Sequence, residues 1–294
     1  MHDFHYKAPT TLAEAMALHA QSGGGARFLA GGTDLYLAME HGKAPITCVI
    51  DLKQVPGLTD IDLTPTKGGT LGCLVTMAEL ENHPQIQSQW KALAEAAAVV
   101  GGPPVRNRAT LGGNLCNASP AADTSVPLLA MNARVVIDTA TGEEREIPLA
   151  QLWEGPRRTT LKGGEMLRTI HLPQLPANTG TAFQRITRSA MDIALVNGAA
   201  RVTLAENGNL QEIVIALGAV APTVILVPGL DTLQGKACDQ DTLDLVAKIA
   251  RETATPISDH RASADYRRDM AGVVTQRAVE TAFMRAKENQ ESSP

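Results

Sequence analysis

Apolar and polar positions alternate between helical and strand spacings along the first part of the chain. Thr11 and Glu14 have the spacing of a capping box, which predicts a helix that stops at Gly23-Gly24-Gly25. The apolar runs Ala26–Ala30 and Cys48–Leu52 indicate buried strands, with room for a loop and a short helix between them. This part of the chain is therefore expected to form a strand, a loop, a short helix and a second strand.

The middle of the chain mixes both spacings. The alanine-rich segment Gln85–Val100 predicts one long helix. Ser119 and Pro120 have the pattern of an N-cap followed by proline in the first helical turn, which predicts a helix that runs to about Met131. Strands are predicted at Thr59–Leu63, Thr70–Thr76, Arg134–Asp138, Glu144–Leu149 and Met166–Leu172.

The segment Pro173–Gly180, with two prolines, marks a break in the pattern. Beyond it the spacing is that of an antiparallel meander that leads into two closing helices, so the chain is expected to have two domains. The strands are predicted at Phe183–Thr187, Gly198–Leu204 and Leu210–Leu217, and the helices at Asp241–Thr253 and Ser263–Lys287.

Composition narrows the class of protein. The 294 residues are 44% hydrophobic and 19% charged, as in a globular protein with a sizeable core. A net charge of −5 and an aromatic content of 3% disfavour nucleic-acid binding. The absence of a long apolar stretch and of a signal pattern at the N-terminus predicts a cytoplasmic protein with no membrane span. The four cysteines have no metal-ligand spacing, so no metal site is expected in this chain alone.

Two glycine-rich segments are the candidates for ligand binding. One is Ala30-Gly31-Gly32-Thr33-Asp34-Leu35, and the other spans Gly101 to Asn114. Glycines let backbone N–H groups approach and surround an anion, and a following helix N-terminus adds partial positive charge. Tight turns are the alternative interpretation of both segments. Neither segment has the G-x-G-x-x-G or P-loop pattern, so the spacing alone predicts only a phosphate-bearing ligand.

The other polar candidates do not form a catalytic set. Ser119 is interpreted as a helix cap rather than a nucleophile, and Asp123 as either a first-turn carboxylate or an acceptor for ligand hydroxyls. The charged segment His260–Arg268 is either a face against a partner subunit or a solvated surface. Because no acid, base and nucleophile come together, no catalytic residue is predicted, and the pattern favours a protein whose cofactor supplies the chemistry.

Taken together, the sequence resembles the FAD-binding medium subunit of molybdenum hydroxylases, the family that includes xanthine dehydrogenase and carbon monoxide dehydrogenase. The resemblance covers essentially the whole chain, and the Arg261–Arg268 segment is similar to the family's C-terminal signature. Four motifs occur in the family's order: Phe28-Leu29-Ala30-Gly31-Gly32-Thr33-Asp34-Leu35, Val105-Arg106-Asn107-Arg108-Ala109-Thr110-Leu111-Gly112-Gly113-Asn114, Asn117-Ala118-Ser119-Pro120-Ala121-Ala122-Asp123 and Ala190-Met191-Asp192-Ile193-Ala194.

The resemblance implies an α+β fold. Residues 1–176 are expected to form a two-lobed FAD-binding domain of the vanillyl-alcohol oxidase (PCMH) type, with lobes at about 1–55 and 56–176. Residues 177–294 are expected to form the family's C-terminal domain, a three-stranded antiparallel sheet with helices.

The resemblance also implies an FAD site. Both glycine loops are expected to bind the FAD diphosphate through backbone N–H groups, and Thr33, Thr110 and Asn114 to add side-chain hydrogen bonds. The family carries a lysine close to the flavin, where this chain has an arginine that can supply positive charge. The cofactor-binding residues expected on this basis are Leu29, Ala30, Gly31, Gly32, Thr33, Asp34, Leu35, Gly102, Thr110, Gly112, Gly113, Asn114, Ser119, Asp123, Leu167, Gln184 and Arg185.

For function, the resemblance implies an electron-transfer subunit. A large molybdopterin subunit would oxidise the organic substrate, and a small subunit with two [2Fe-2S] clusters would relay electrons to FAD in this chain. NAD⁺, a quinone or O₂ would accept them, and the assembly would be a heterotrimer or its dimer. Molybdopterin and [2Fe-2S] are expected only in the partner subunits. A free-standing FAD-dependent reductase or oxidase is the alternative, and a scaffold that has lost flavin is a third hypothesis.

Overall fold

The computed structural model describes residues 3–42, 45–64, 67–139 and 141–292. Helices and strands are mixed up to residue 172, with six consecutive helices between residues 77 and 130, and an antiparallel sheet with two helices follows. The α-helices are α1 (Leu12–Ser22), α2 (Leu35–His41), α3 (Met77–Asn82), α4 (Pro84–Gln89), α5 (Lys91–Ala98), α6 (Pro103–Arg106), α7 (Leu111–Asn117), α8 (Ser125–Ala130), α9 (Gln240–Thr253) and α10 (Ala264–Glu291). The strands are β1 (His5–Lys7), β2 (Ala26–Leu29), β3 (Cys48–Asp51), β4 (Ile61–Thr64), β5 (Gly68–Gly72), β6 (Arg134–Asp138), β7 (Glu144–Pro148), β8 (Trp153–Gly155), β9 (Arg158–Thr159), β10 (Met166–Leu172), β11 (Thr179–Ile186), β12 (Val196–Leu204), β13 (Leu210–Gly218) and β14 (Ile225–Leu226).

The N-terminal strands form a small parallel sheet in the order β1-β3-β2. Helix α1 packs on this sheet through the buried residues Ala15 and Met16. The predicted cap of α1 is confirmed, because the Thr11 hydroxyl accepts a hydrogen bond from the Glu14 amide at 3.2 Å. The predicted strand–loop–helix–strand unit is also confirmed, as β2, α2 and β3.

A five-stranded antiparallel sheet in the order β4-β5-β10-β6-β7 forms the second layer of the N-terminal part. One continuous hydrophobic core runs from the parallel sheet into this sheet and includes Ile50, Leu71 and Ile170, each fully buried. A continuous core fixes the two sheets relative to each other, and with them the loops that lie at their boundary.

The C-terminal part is an antiparallel sheet in the order β11-β12-β13-β14, with α10 packed on the sheet and α9 packed against α10. Its core includes Val202 and Ile215 from the sheet and Val274 from α10. The three predicted strands are present, and β14 adds a fourth strand of two residues that the sequence pattern does not indicate.

The two parts are joined by packed side chains and by hydrogen bonds. Helices α5 and α8 pack against β11, β12 and β13 through a separate cluster of buried residues. The Glu95 carboxylate accepts hydrogen bonds from the Phe183 amide at 3.0 Å and from Arg285. Arg201 donates from Nε to the Ala130 carbonyl at 3.2 Å.

The prediction of one helix over Gln85–Val100 is wrong. The chain forms two helices, α4 and α5, separated at Trp90, whose backbone is not helical (φ −114°, ψ 46°). The Trp90 indole is buried and donates from Nε1 to the Pro173 carbonyl at 3.2 Å. This tertiary contact holds Trp90 and overrides the high helix propensity of the alanine-rich sequence.

The predicted helix from Ser119 is also wrong at its start. Helix α8 begins at Ser125, and the Ser119 hydroxyl caps no helix; it accepts a hydrogen bond from the Ala121 amide at 3.3 Å within a turn. The Pro120 carbonyl, which a helix would use internally, instead accepts from the Ala219 amide at 2.7 Å. The turn therefore docks on the C-terminal part of the chain.

Candidate functional site

The first glycine loop connects β2 to α2 and presents a run of unused amides. Gly32 has φ +80°, a conformation that glycine adopts without strain. The amide N–H groups of residues 31–34 donate to no acceptor in the described part of the chain. The loop is partly exposed, and α2 continues from it with none of its residues buried. A row of free amides next to a helix N-terminus can bind an anion such as a phosphate.

The second glycine loop lies directly against the first. A Cβ atom at Gly31 would lie 1.9 Å from the Arg108 carbonyl oxygen, and a Cβ at Gly113 would lie 3.9 Å from the Ala30 side chain. The absence of a side chain at residue 31 therefore permits the contact. The fold brings together two motifs that are about seventy positions apart in the sequence.

The amides of the second loop are used differently from those of the first. In α7 the Leu111 amide donates to the Val75 carbonyl, and the Gly112 amide to the Cys73 carbonyl, each at 2.8 Å. The Gly113 amide donates to the Thr110 hydroxyl at 3.2 Å. These three donors are already satisfied, so they do not support the expectation that both loops bind a diphosphate through backbone N–H groups.

The polar side chains of the second loop retain hydrogen-bonding capacity. The Thr110 hydroxyl accepts from the Gly113 amide, which leaves its own proton free to donate. Asn114 accepts from the Thr124 hydroxyl at 2.8 Å through Oδ1, and its Nδ2 has no acceptor among the residues described. In the first loop the Thr33 hydroxyl likewise has no partner within the described ranges. These groups can hydrogen-bond a ligand that lies between the loops.

A buried ion pair connects the turn after α7 to the C-terminal sheet. Arg185 on β11 donates from Nη1 to Asp123 Oδ2 at 3.0 Å, and Asn197 on β12 donates from Nδ2 to Asp123 Oδ1 at 2.7 Å. Burial raises the pKa of the Asp123 carboxyl to about 6, although the hydrogen bond from Asn197 and the charge of Arg185 oppose this shift. Both oxygens of Asp123 are thus bonded within the chain.

The remaining expected residues occupy different environments. Gly102 is buried, and a Cβ at this position would lie 3.1 Å from the Met191 sulfur, so the second loop also touches the fourth motif. Leu167 is a core residue of β10 at a β-bulge. Gln184 lies on β11, partly buried, opposite Gly198. Leu29 and Leu35 lie on either side of the loop, and Asp34 carries the last of the four amides that have no acceptor in the described part of the chain.

The contacts of three residues at the site are not predicted by the sequence. Asn197, a neutral side chain inside an apolar strand, has no sequence signal for its bond to Asp123. Cys73 packs closely on Gly112: a Cβ atom added at Gly112 would lie 2.5 Å from the Cβ of Cys73. Arg108 lies within a quoted motif, but its backbone contact with Gly31 depends on the tertiary fold.

For Arg267, both interpretations of the charged segment His260–Arg268, a face against a partner subunit and a solvated surface, are wrong. Arg267 is buried within its own chain and donates to the carbonyls of Leu195 (3.0 Å) and Ala219 (3.2 Å) and to the Asp259 carboxylate (2.8 Å). Burial alone would raise the pKa of Asp259, but hydrogen bonds from the amides of Arg261 and Ala262 and from Arg267 lower it to about 2.

Two family models match the chain. The model for the FAD-binding domain in molybdopterin dehydrogenase matches residues 2–175, and that for the CO dehydrogenase flavoprotein C-terminal domain matches residues 181–282. The chain belongs to this family of FAD-binding subunits of molybdenum-containing oxidoreductases. The expected α+β fold and its FAD cofactor are thereby confirmed.

Several relatives and solved structures match nearly the full length of the chain. The xanthine dehydrogenase FAD-binding subunit of Escherichia coli O157:H7 is 32% identical over 97% of this chain and 98% of its own. The carbon monoxide dehydrogenase medium chain of Hydrogenophaga pseudoflava is 33% identical over 96% of this chain and 98% of its own length. The structure of quinoline 2-oxidoreductase from Pseudomonas putida 86 superposes with a TM-score of 0.89. It is 30% identical in sequence and covers 96% of this chain and 98% of its own chain. In the described part of the chain, no helix has the length and apolar character that a membrane span needs.

Proposed function

We propose that this chain holds FAD between its two glycine loops and serves as the electron-transfer subunit of a three-component hydroxylase. It takes electrons from the [2Fe-2S] clusters of a small partner subunit and passes them to NAD⁺, a quinone or O₂. A large molybdopterin subunit oxidises the organic substrate, and the three subunits form a heterotrimer or its dimer. The similarity to the carbon monoxide dehydrogenase medium chain of Hydrogenophaga pseudoflava supports this assignment.

One observation carries the cofactor assignment: the amides of residues 31–34 have no acceptor among the described residues, and the loop that contains them lies against the second glycine loop. Amides without acceptors are costly unless a ligand or water satisfies them, and a diphosphate matches their charge. The first loop therefore binds the diphosphate through its backbone. Thr33, Thr110 and Asn114 add hydrogen bonds from their side chains.

FAD supplies the redox chemistry when it is bound, and the chain supplies binding and orientation. Leu167 and Gln184 are the residues for which the family resemblance implies a position close to the flavin. Arg185 provides positive charge in the same region, but its guanidinium is already shared with Asp123. The domain division at about residue 176 follows from the same proposal, with the cofactor held mainly by the N-terminal domain.

The test is a visible absorption spectrum of the purified chain, followed by chromatography of the released chromophore. We expect a flavin spectrum and about one FAD per chain. A colourless protein that also fails to take up added FAD contradicts the proposal and assigns the loops to turns or another phosphate ligand. Turnover of a small organic substrate by the isolated chain would instead favour the free-standing reductase or oxidase.

A further inference from the structure

Arg185 connects three segments that surround the proposed FAD cleft. From β11 its Nη1 donates to Asp123 Oδ2 at 3.0 Å, and its Nη2 donates to the Ala190 carbonyl at 2.6 Å. The side chains of Arg185 and Asp123 are only 11% and 9% exposed. A guanidinium held from two directions has a fixed position, because its planar fork makes both bonds at once.

The segment that accepts the second bond is the loop of residues 187–195, which joins β11 to β12. Its base is closed by a hydrogen bond from the Leu195 amide to the Ile186 carbonyl at 2.8 Å. Within the loop, Arg188 donates from Nε to Asp192 Oδ2 at 2.7 Å. The loop is thus a compact hairpin-like unit held together by its own hydrogen bonds.

The tip of the 187–195 loop reaches the second glycine loop. Met191 is 70% exposed, yet its sulfur lies 3.1 Å from the Cβ position of Gly102. Ile193 and Val105, on the two sides of this contact, are 50% and 39% exposed. Exposed apolar side chains on the two contacting loops can pack against a flat heteroaromatic ring of a ligand held there.

Asp123 acts on this loop through Arg185. Both of its oxygens are bonded within the chain, one to Arg185 and one to Asn197. The turn that carries Asp123 belongs to the N-terminal part, and so does Gly102. The N-terminal part is therefore linked to the 187–195 loop at two points: through Asp123 and Arg185, and through the contact of Met191 with the second glycine loop.

We propose that Arg185 is a positioning residue for FAD retention: it holds the 187–195 loop against the second glycine loop, so that the loop closes one end of the cofactor cleft. This inference rests on the proposed FAD site between the loops. It predicts that loosening the loop speeds FAD release without unfolding the chain.

The test compares Arg185→Met with the matched control Arg201→Met. Arg201 is equally buried (13% exposed), joins the N-terminal part at the Ala130 carbonyl and pairs with Glu212, but does not touch the loop. We expect FAD to dissociate roughly tenfold faster or more from Arg185→Met, because two charge-assisted hydrogen bonds are lost. Release from Arg201→Met should stay near the wild-type rate. Free-flavin fluorescence measures the release, and the sharpness of the visible band of the bound flavin reports entry of water.

Limited trypsin digestion tests the loop without FAD. Cleavage after Arg188 should be roughly tenfold faster or more in Arg185→Met, and unchanged in Arg201→Met, in the flavin-free proteins as well. Met191→Ala should also speed FAD release, and its effect should not add to that of Arg185→Met, because both changes open the same contact.

The outcomes separate this inference from the proposal on which it rests. If FAD release is accelerated equally in Arg185→Met and Arg201→Met, the faster release comes from weaker contact between the two parts of the chain, and the role of Arg185 is overturned. Additive effects of Arg185→Met and Met191→Ala, or unchanged cleavage after Arg188, overturn it as well. A wild-type chain that binds no FAD overturns the proposed function, and the retention role with it.

Discussion

The Cβ position of Gly31 lies 1.9 Å from the carbonyl oxygen of Arg108, so the two glycine loops are in contact only because residue 31 has no side chain. The first loop is thereby held against the loop that carries Thr110 and Asn114. The relationship gives the Gly-Gly pair a function that a tight turn alone does not require, since Gly31 permits the approach and Gly32 supplies the positive φ.

Gly31→Ala should separate the two loops and weaken FAD binding at least about tenfold, because the added methyl group overlaps backbone that cannot move cheaply. Titration of the flavin-free protein with FAD measures the affinity. The matched control is Gly163→Ala, in which the new Cβ meets nothing within 4 Å. Equal FAD affinity in the two variants would contradict the contact-based account of the site.

Gly32→Val and Gly113→Val should each abolish FAD retention while the chain remains folded. Valine at residue 32 must adopt φ +80°, which strains a β-branched residue and turns the amides away from a common centre. A Cβ at residue 113 lies 2.8 Å from the Thr110 hydroxyl and displaces it from the helix cap. Absorbance at flavin wavelengths and circular dichroism report the two properties. Normal flavin content in both variants would refute the assignment of the loops.

Asp123→Asn should remove a pH dependence of stability between about pH 4 and 6. The folded-state pKa of Asp123, about 6, lies above its ordinary value of 3.8, so the folded chain holds this proton more tightly than the unfolded chain. Its contribution to stability is therefore present below pH 4 and is lost as the pH rises through 6, by up to about 3 kcal/mol.

Urea unfolding of the wild type and of Asp123→Asn at pH 4.5 and pH 7 tests this sign. The wild type should lose stability relative to the variant as the pH increases, since every other titrating group is common to both proteins. A difference between the proteins that does not change with pH would mean that Asp123 stays ionised throughout, paired with Arg185.

Local sequence signals predict the element types well where a single side chain decides them. Thr76 and Glu79 have capping-box spacing in the sequence, and both hydrogen bonds of the box are present at the start of α3; Ser263 caps α10 through its hydroxyl. The break at Trp90 and the turn at Pro120 could not be predicted in this way. Each depends on a hydrogen bond to a distant carbonyl or amide that the local sequence does not contain.

The site shows the same division. The motifs locate both glycine loops, but the sequence cannot tell which amides are free. The amides of Leu111 and Gly112 are taken by the carbonyls of Val75 and Cys73, which belong to a different segment. Asp123 is similar, because its partners Arg185 and Asn197 come from strands of the C-terminal sheet. Tertiary pairing, rather than local pattern, decides the role of each polar group.

Arg267 and Arg268 are adjacent in the sequence but should respond very differently to substitution. Arg267→Met removes two buried hydrogen bonds and one partly buried one and leaves the Leu195 and Ala219 carbonyls without a donor, so we expect a loss of about 3 kcal/mol in the free energy of unfolding. Arg268 is 43% exposed and pairs with Asp265 across one helical turn, so Arg268→Met should cost less than about 1 kcal/mol. Urea unfolding of the two variants measures both values. An equal loss of stability in the two variants would contradict the burial of Arg267. If Arg267→Met instead folds with wild-type stability but no longer assembles with its partner subunits, the hypothesis of a face against a partner subunit would be restored.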